Sequence, residues 1–201
     1  MAKRGFNRHA LPAVFSYAYR RKIGLLGGSF NPAHEGHIAL SKHAKRAGRL
    51  AQIWWLVSPQ NPLKSAADMA AFDKRLAVAR ALCAPYPWLY VLALESQSGT
   101  SYSYDTVTFL KQRASRASFT WLMGSDNLVQ FPRWYKARPM ARQIPFMVVR
   151  RAPSHYPSLA GQGRQYFRRY HSTKATPRLT LIRDFHDSRS GSALRQAGFW
   201  G

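Results

Sequence analysis

His34 and His37 stand three residues apart in the stretch GGSFNPAHEGH, residues 27–37, directly after an apolar run and a glycine pair. Imidazoles at that spacing can donate ring N–H groups to the oxygens of one phosphate. Two histidines three apart also occur as plain surface residues, but the context here favours an anion. Residues 23–26 read as a strand and 36–48 as a helix, which places His37 in the first helical turn. Unpaired backbone N–H groups and the positive end of the helix dipole gather there. Gly27 and Gly28 carry no side chain, so the backbone can approach a ligand closely.

Two such histidines need a scaffold, and the hydrophobic pattern supplies one. Strands are predicted over 22–26, 52–57, 88–94, 119–123, 145–150 and 179–182. Helices are predicted over 36–48, over the stripe Met69, Phe72, Leu76, Ala79 and Leu82 with Asp68 as N-cap, and over 105–115. Residues 152–177 read as a loop with a short helix around 164–170. Alternation of this kind implies an α/β fold, a Rossmann-like doubly wound parallel sheet with helices on both faces. Ligands of such sheets bind beyond the carboxyl ends of the strands, and the polar motifs fall at those ends. The expected organisation is one domain over 22–201 behind a basic, mobile extension over 1–21.

Composition narrows the class. A chain of 201 residues with 46% hydrophobic content and six tryptophans has enough apolar surface for one ample core. The single cysteine, Cys83, excludes an internal disulfide framework and reads as a small core residue. No apolar run is as long as a membrane span, and the N-terminus lacks the pattern of a secretory signal, so a cytoplasmic protein with no membrane partner is expected. The 31 Lys and Arg against 8 Asp and Glu give a formal charge of +23. That field would steer polyanions inward; it fits a solvated basic surface and weak, non-specific nucleic-acid contact equally.

Over its whole length the first stretch resembles the G-x-F-[DN]-P-x-H-x-G-H motif of the H-x-G-H nucleotidyltransferases. Near the C-terminus SRSGSALR resembles their second ATP motif, [ST]-x-[ST]-x-x-R. SYSYDT upstream and GSD followed by Trp134 and Tyr135 resemble the bacterial nicotinate mononucleotide adenylyltransferase family. The resemblance runs from about residue 22 to 198. It implies that His34, His37, Lys64 and Arg195 are catalytic and that Gly27, Gly28, Ser29, Phe30, Gly124, Asp126, Ser190 and Ser192 bind ATP. It further implies that Tyr102, Ser103, Trp134, Tyr135 and Arg151 surround nicotinate mononucleotide. Read without it, Asp126 is equally a helix cap, Trp134 and Tyr135 core aromatics, Lys64 an exposed lysine and Ser190 a helix cap. Asn31 stands where many members carry Asp; the amide removes a charge and keeps an acceptor oxygen.

The reaction implied joins ATP and nicotinate mononucleotide into nicotinate adenine dinucleotide and pyrophosphate, a step of NAD biosynthesis. A phosphate monoester is already nucleophilic at neutral pH, so positioning and charge stabilisation suffice. No protein metal site is expected, with Mg²⁺ held mainly by phosphate oxygens and water. The alternatives are an H-x-G-H enzyme acting on nicotinamide mononucleotide or phosphopantetheine, and an RNA-binding protein on the same scaffold. Oligomeric state is not legible.

Overall fold

A computed structural model of the chain describes residues 14–16, 18–59, 69–95, 102–149, 179–182 and 198, apart from the side chain of Asp126. Its elements are β1 (Lys22–Gly28), α1 (Glu35–Gly48), β2 (Gln52–Val57), α2 (Phe72–Cys83), β3 (Leu89–Leu92) and α3 (Ser103–Arg113). They continue as β4 (Ser118–Gly124), α4 (Ser125–Gln130), a 3₁₀ turn over Phe131–Arg133, α5 (Ala137–Gln143), β5 (Phe146–Val149) and β6 (Leu179–Ile182). The six strands form one sheet in the order β3-β2-β1-β4-β5-β6, and every pairing is parallel. The order reverses beside β1, between the crossovers toward β2 and toward β4. The expected Rossmann-like fold is therefore present, and the crevice at such a reversal is where these sheets hold ligands.

Side-chain alternation along each strand divides the core in two. Trp54, Leu25, Trp121 and Phe146 pack with Val107 and Leu110 of α3 and Met140 of α5. Trp55, Leu26, Leu122 and Met147 pack with Ile38 and Ala44 of α1 and Leu76 and Cys83 of α2. Adjacent tryptophans on β2 thus serve opposite faces, which only a strand buried on both sides permits. Cys83 is buried in the second cluster, as expected.

α3 opens at Ser103 instead of 105 and β3 closes at Leu92 instead of 94, and three larger expectations change. The end of the basic extension is packed: Val14 and Ala18 are fully buried, and Phe15 sits edge-on to Trp54 and Phe109. Apolar residues spaced through an otherwise cationic segment explain this, and the packed part of the chain begins by Val14. Residues 1–13 lie outside the described residues. The helix expected to open at Asp68 begins at Phe72, because the peptide groups around Ala70 are engaged by other partners, described below. Between β4 and β5 the chain forms α4, the 3₁₀ turn and α5, where no helix had been predicted. Among the described residues no helix is long and apolar enough to cross a membrane.

Candidate active site

The carboxyl end of β1 delivers the chain to α1 through a turn whose histidines shape the helix start. His34 is the N-cap of α1, and its Nδ1 accepts from the Gly36 N–H at 3.1 Å. His37, three residues on, accepts the His34 N–H on its own Nδ1 at 3.2 Å. The pair forms a capping box in which both acceptors are imidazoles. An Nδ1 that accepts carries no hydrogen in the neutral ring, so Nε2 bears the donor in both. The rings lie 4.0 Å apart between centroids and 51° from coplanar. His37 also leans on Phe30 at 4.9 Å, and Phe30 stacks on Trp55 at 4.8 Å and 18°. The backbone therefore fixes ring orientation from one side and the aromatic stack supports it from the other.

The two glycines differ. A Cβ on Gly27 would lie 2.7 Å from the Trp121 ring, so the absence of a side chain here makes room for a core tryptophan. A Cβ on Gly28 would have the Phe30 ring as its nearest neighbour, at an ordinary 3.4 Å. Phe30 itself has φ +46°, a left-handed conformation that costs a bulky residue energy and persists only where surroundings hold it. The hold comes from Asn31, whose acceptor oxygen was noted in the sequence, and from Arg75, which was not singled out there. Asn31 accepts the Ala70 N–H on Oδ1 at 3.1 Å. Arg75 of α2, 1% exposed, donates to four backbone carbonyls, those of Ser29, Ser58, Pro59 and Ala70. The neutral amide at Asn31 thus serves as an acceptor tying the β1 turn to the start of α2.

Beyond β3, Glu95 is buried, with Oε1 3.5 Å from the Thr106 hydroxyl and Oε2 without a partner among the described residues. Burial raises its pKa above the usual carboxylate range, against the opposing effect of hydrogen bonds from Ser58 and Thr106. Ser58 therefore meets Arg75 through its carbonyl and Glu95 through its side chain.

On the other side of the crevice the surface is more open. Tyr102 is the N-cap of α3 and makes no side-chain cap, leaving the first-turn amides from Ser103 onward as donors. The Tyr102 ring lies 4.4 Å from that of Tyr135. Both are exposed, at 42% and 45%. Lys136, in the left-handed region at φ +48°, places its ammonium 4.9 Å from the Tyr104 ring centroid and 5.0 Å from that of Tyr135. A hydrogen bond with Tyr135, then the tyrosines and Asp105, raise its pKa. Trp134 packs edge-on to Trp121 and Phe131, at 6.1 and 5.4 Å, which anchors the Tyr135 turn to the core. Gly124 ends β4 and is the N-cap of α4, in which Asp126 is the second residue.

The structure thus brings His34, His37, Gly28, Ser29 and Phe30 together, and separately Tyr102, Ser103 and Tyr135. Lys64, Arg151, Ser190, Ser192 and Arg195 lie outside the described residues, as does the Asp126 side chain. Arg75, Asn31, Glu95 and Lys136 carry structural or electrostatic weight that motif reading left unassigned. For Arg75 the one signal in the sequence is a cation on the buried stripe of an amphipathic helix, next to Leu76.

Comparison with known proteins agrees with this geometry. The cytidylyltransferase-like family model matches residues 25–196. A probable nicotinate-nucleotide adenylyltransferase of Bradyrhizobium sp. (strain ORS 278) is 44% identical over 189 residues, covering 89% of this chain and 98% of that one. One of Gluconobacter oxydans is 39% identical, covering 88% and 95%. In fold, the nicotinic acid mononucleotide adenylyltransferase of Plasmodium falciparum complexed with NaAD superposes with a TM-score of 0.67 at 18% identity, covering 88% of this chain and 83% of that one. With coverage and identity at these levels, the chain belongs to the nicotinate-nucleotide adenylyltransferases, within the cytidylyltransferase-like family.

Proposed function

We propose that this protein transfers AMP from ATP to nicotinate mononucleotide, giving nicotinate adenine dinucleotide and pyrophosphate. The observation that carries the reading is the imidazole pair of the capping box, in which both Nδ1 atoms accept backbone N–H groups, so that in the neutral rings the N–H donor is on Nε2. Such donors suit the charge that builds on the phosphate oxygens as the mononucleotide phosphate displaces pyrophosphate from the α-phosphorus in line. The nucleophile is already ionised, so the residues position and stabilise; they need not remove a proton.

In this reading His34 and His37, with Lys64 and Arg195, hold the triphosphate. Gly124, Asp126, Ser190 and Ser192 complete the ATP side. Tyr102, Ser103, Tyr135 and Arg151 receive the mononucleotide, with Trp134 as the anchor of that turn. The uncapped start of α3 gives the carboxylate of nicotinate a set of backbone donors. Mg²⁺, which keeps much of its hydration, would be held mainly by triphosphate oxygens and water. The ion would neutralise charge on the leaving pyrophosphate.

A pyrophosphate-release assay with ATP and a panel of acceptors tests the assignment. Nicotinate mononucleotide should be used with a kcat/KM about a hundredfold above nicotinamide mononucleotide, since an amide NH₂ would face donors where a carboxylate oxygen is accepted. Turnover with phosphopantetheine alone, or RNA binding without any turnover, would overturn it.

A further inference from the structure

Arg75 is a buried cation beside the site whose partners are peptide carbonyls. Its Nη1 donates to Ser29 O at 2.5 Å and Ser58 O at 2.8 Å, its Nη2 to Pro59 O at 2.6 Å and its Nε to Ala70 O at 2.9 Å. Those carbonyls belong to three chain segments: the turn after β1, the loop after β2 and the approach to α2. A planar guanidinium presents donors in fixed directions, which is why one side chain can set three segments at once. The Ser29 carbonyl also precedes Phe30, the residue held at positive φ, and Phe30 supports the His37 ring. Asn31 secures the same junction through the Ala70 N–H.

We infer that Arg75 is a positioning residue for the transfer reaction: a four-carbonyl clamp that sets the turn leading to His34 and His37 against Ser58 and Pro59 just after β2. It touches no substrate in this role. The inference rests on the function proposed above, because the clamp matters to rate only if the histidines act on the phosphates. A lysine in its place keeps the charge and supplies one point donor, so it cannot span all four acceptors. Misplacement of reacting groups by about 1 Å costs about a hundredfold in rate.

The test compares full-length wild type with Arg75→Lys and Arg75→Ala, by steady-state kinetics and by hydrogen exchange of peptides spanning 27–31 and 57–59. The expected result for Arg75→Lys is a folded protein with kcat lowered about tenfold to a hundredfold and KM for ATP changed little by comparison. Exchange should quicken in those two segments while the β4 amides keep their protection. Adding guanidinium to Arg75→Ala at low concentration should restore part of kcat relative to sodium at equal ionic strength, and should do nothing for His37→Ala. Should Arg75→Ala not fold, Arg75→Lys decides alone. Wild-type kcat in Arg75→Lys overturns the inference. So does a general loss of protection across the sheet with kcat per folded molecule unchanged, which marks Arg75 as a core support only. If wild type transfers AMP to no acceptor, the functional reading fails, whereas local exchange still reports whether the clamp orders the two segments.

Discussion

The two sides of the crevice are built in opposite ways. Around β1 and β2 the polar groups are buried and hydrogen-bonded to backbone: His34, Asn31 and Arg75 are at most 7% exposed. At the start of α3 and the turn before α5 the side chains stand in solvent, with the Tyr102 ring against Tyr135 and the Lys136 ammonium over the Tyr135 ring. A fixed constellation suits the side where charge develops in a transition state, because preorganised donors act without reorganising. Under the proposed function the exposed aromatic pair lies on the side that would admit the nicotinate ring. Damage on the first side should therefore fall on kcat, and damage on the second on KM.

The strongest way to break that contrast is at His37. Replacing it with Ala should lower kcat by about two orders of magnitude, the scale of one lost transition-state donor, with a smaller change in KM for ATP. A variant that turns over at the wild-type rate would remove His37 from the chemistry. The opposite side is probed by Tyr135→Ala, expected to raise KM for nicotinate mononucleotide about tenfold through lost stacking while kcat stays near wild type. A fall in kcat without a change in KM would erase the distinction between the two sides.

A third comparison sets residues 1–13 against the packed residues Val14, Phe15 and Ala18 that follow them. Removing residues 1–13 should leave stability and activity close to wild type. Phe15→Ala, by contrast, should cost about 2 kcal/mol of stability by emptying the contact with Trp54 and Phe109, seen as a lower Tm. Equal Tm values for the two variants would place Phe15 outside the core.

The smallest expected effect is the pH dependence at Glu95. Its carboxyl has a pKa raised by burial, so its contribution to stability is fully present below the unfolded-state pKa and is lost as pH rises through the higher folded value. Glu95→Gln should therefore raise Tm relative to wild type at neutral pH by a few degrees and lose that advantage in acid. An advantage that persists unchanged into acid would rule out the carboxylate as its source.

The parts legible in the sequence are those where local pattern and tertiary need coincide. β2 and β6 appear over the residues expected of them because short apolar, β-rich runs bounded by turns have few alternatives. The place of His37 in the first turn of α1 was legible for the same reason: strand, glycines and helix are contiguous. The delayed start of α2 was not, since it depends on Asn31 and Arg75 reaching Ala70 from positions distant in sequence or already inside the helix. Nor was the division of labour between Gly27 and Gly28, because it is a tryptophan from β4 that excludes a side chain at Gly27. Motifs show which residues face the ligand. They are silent about carbonyls gathered behind it.

Trp121, the ring that fills the space beside Gly27, has a further property: its indole N–H is buried with no acceptor among the described residues. The neighbouring indoles differ, with Trp54 donating to Gln52 and Trp55 to Ser41. An indole in a dry, apolar setting without a hydrogen bond emits at the blue edge of tryptophan fluorescence, so Trp121 supplies a built-in optical marker. It reports from the strand carrying Gly124, and through Trp134 it is joined to the turn bearing Tyr135. Changes in how that turn sits will register as colour and intensity in the protein's own light, with no label attached.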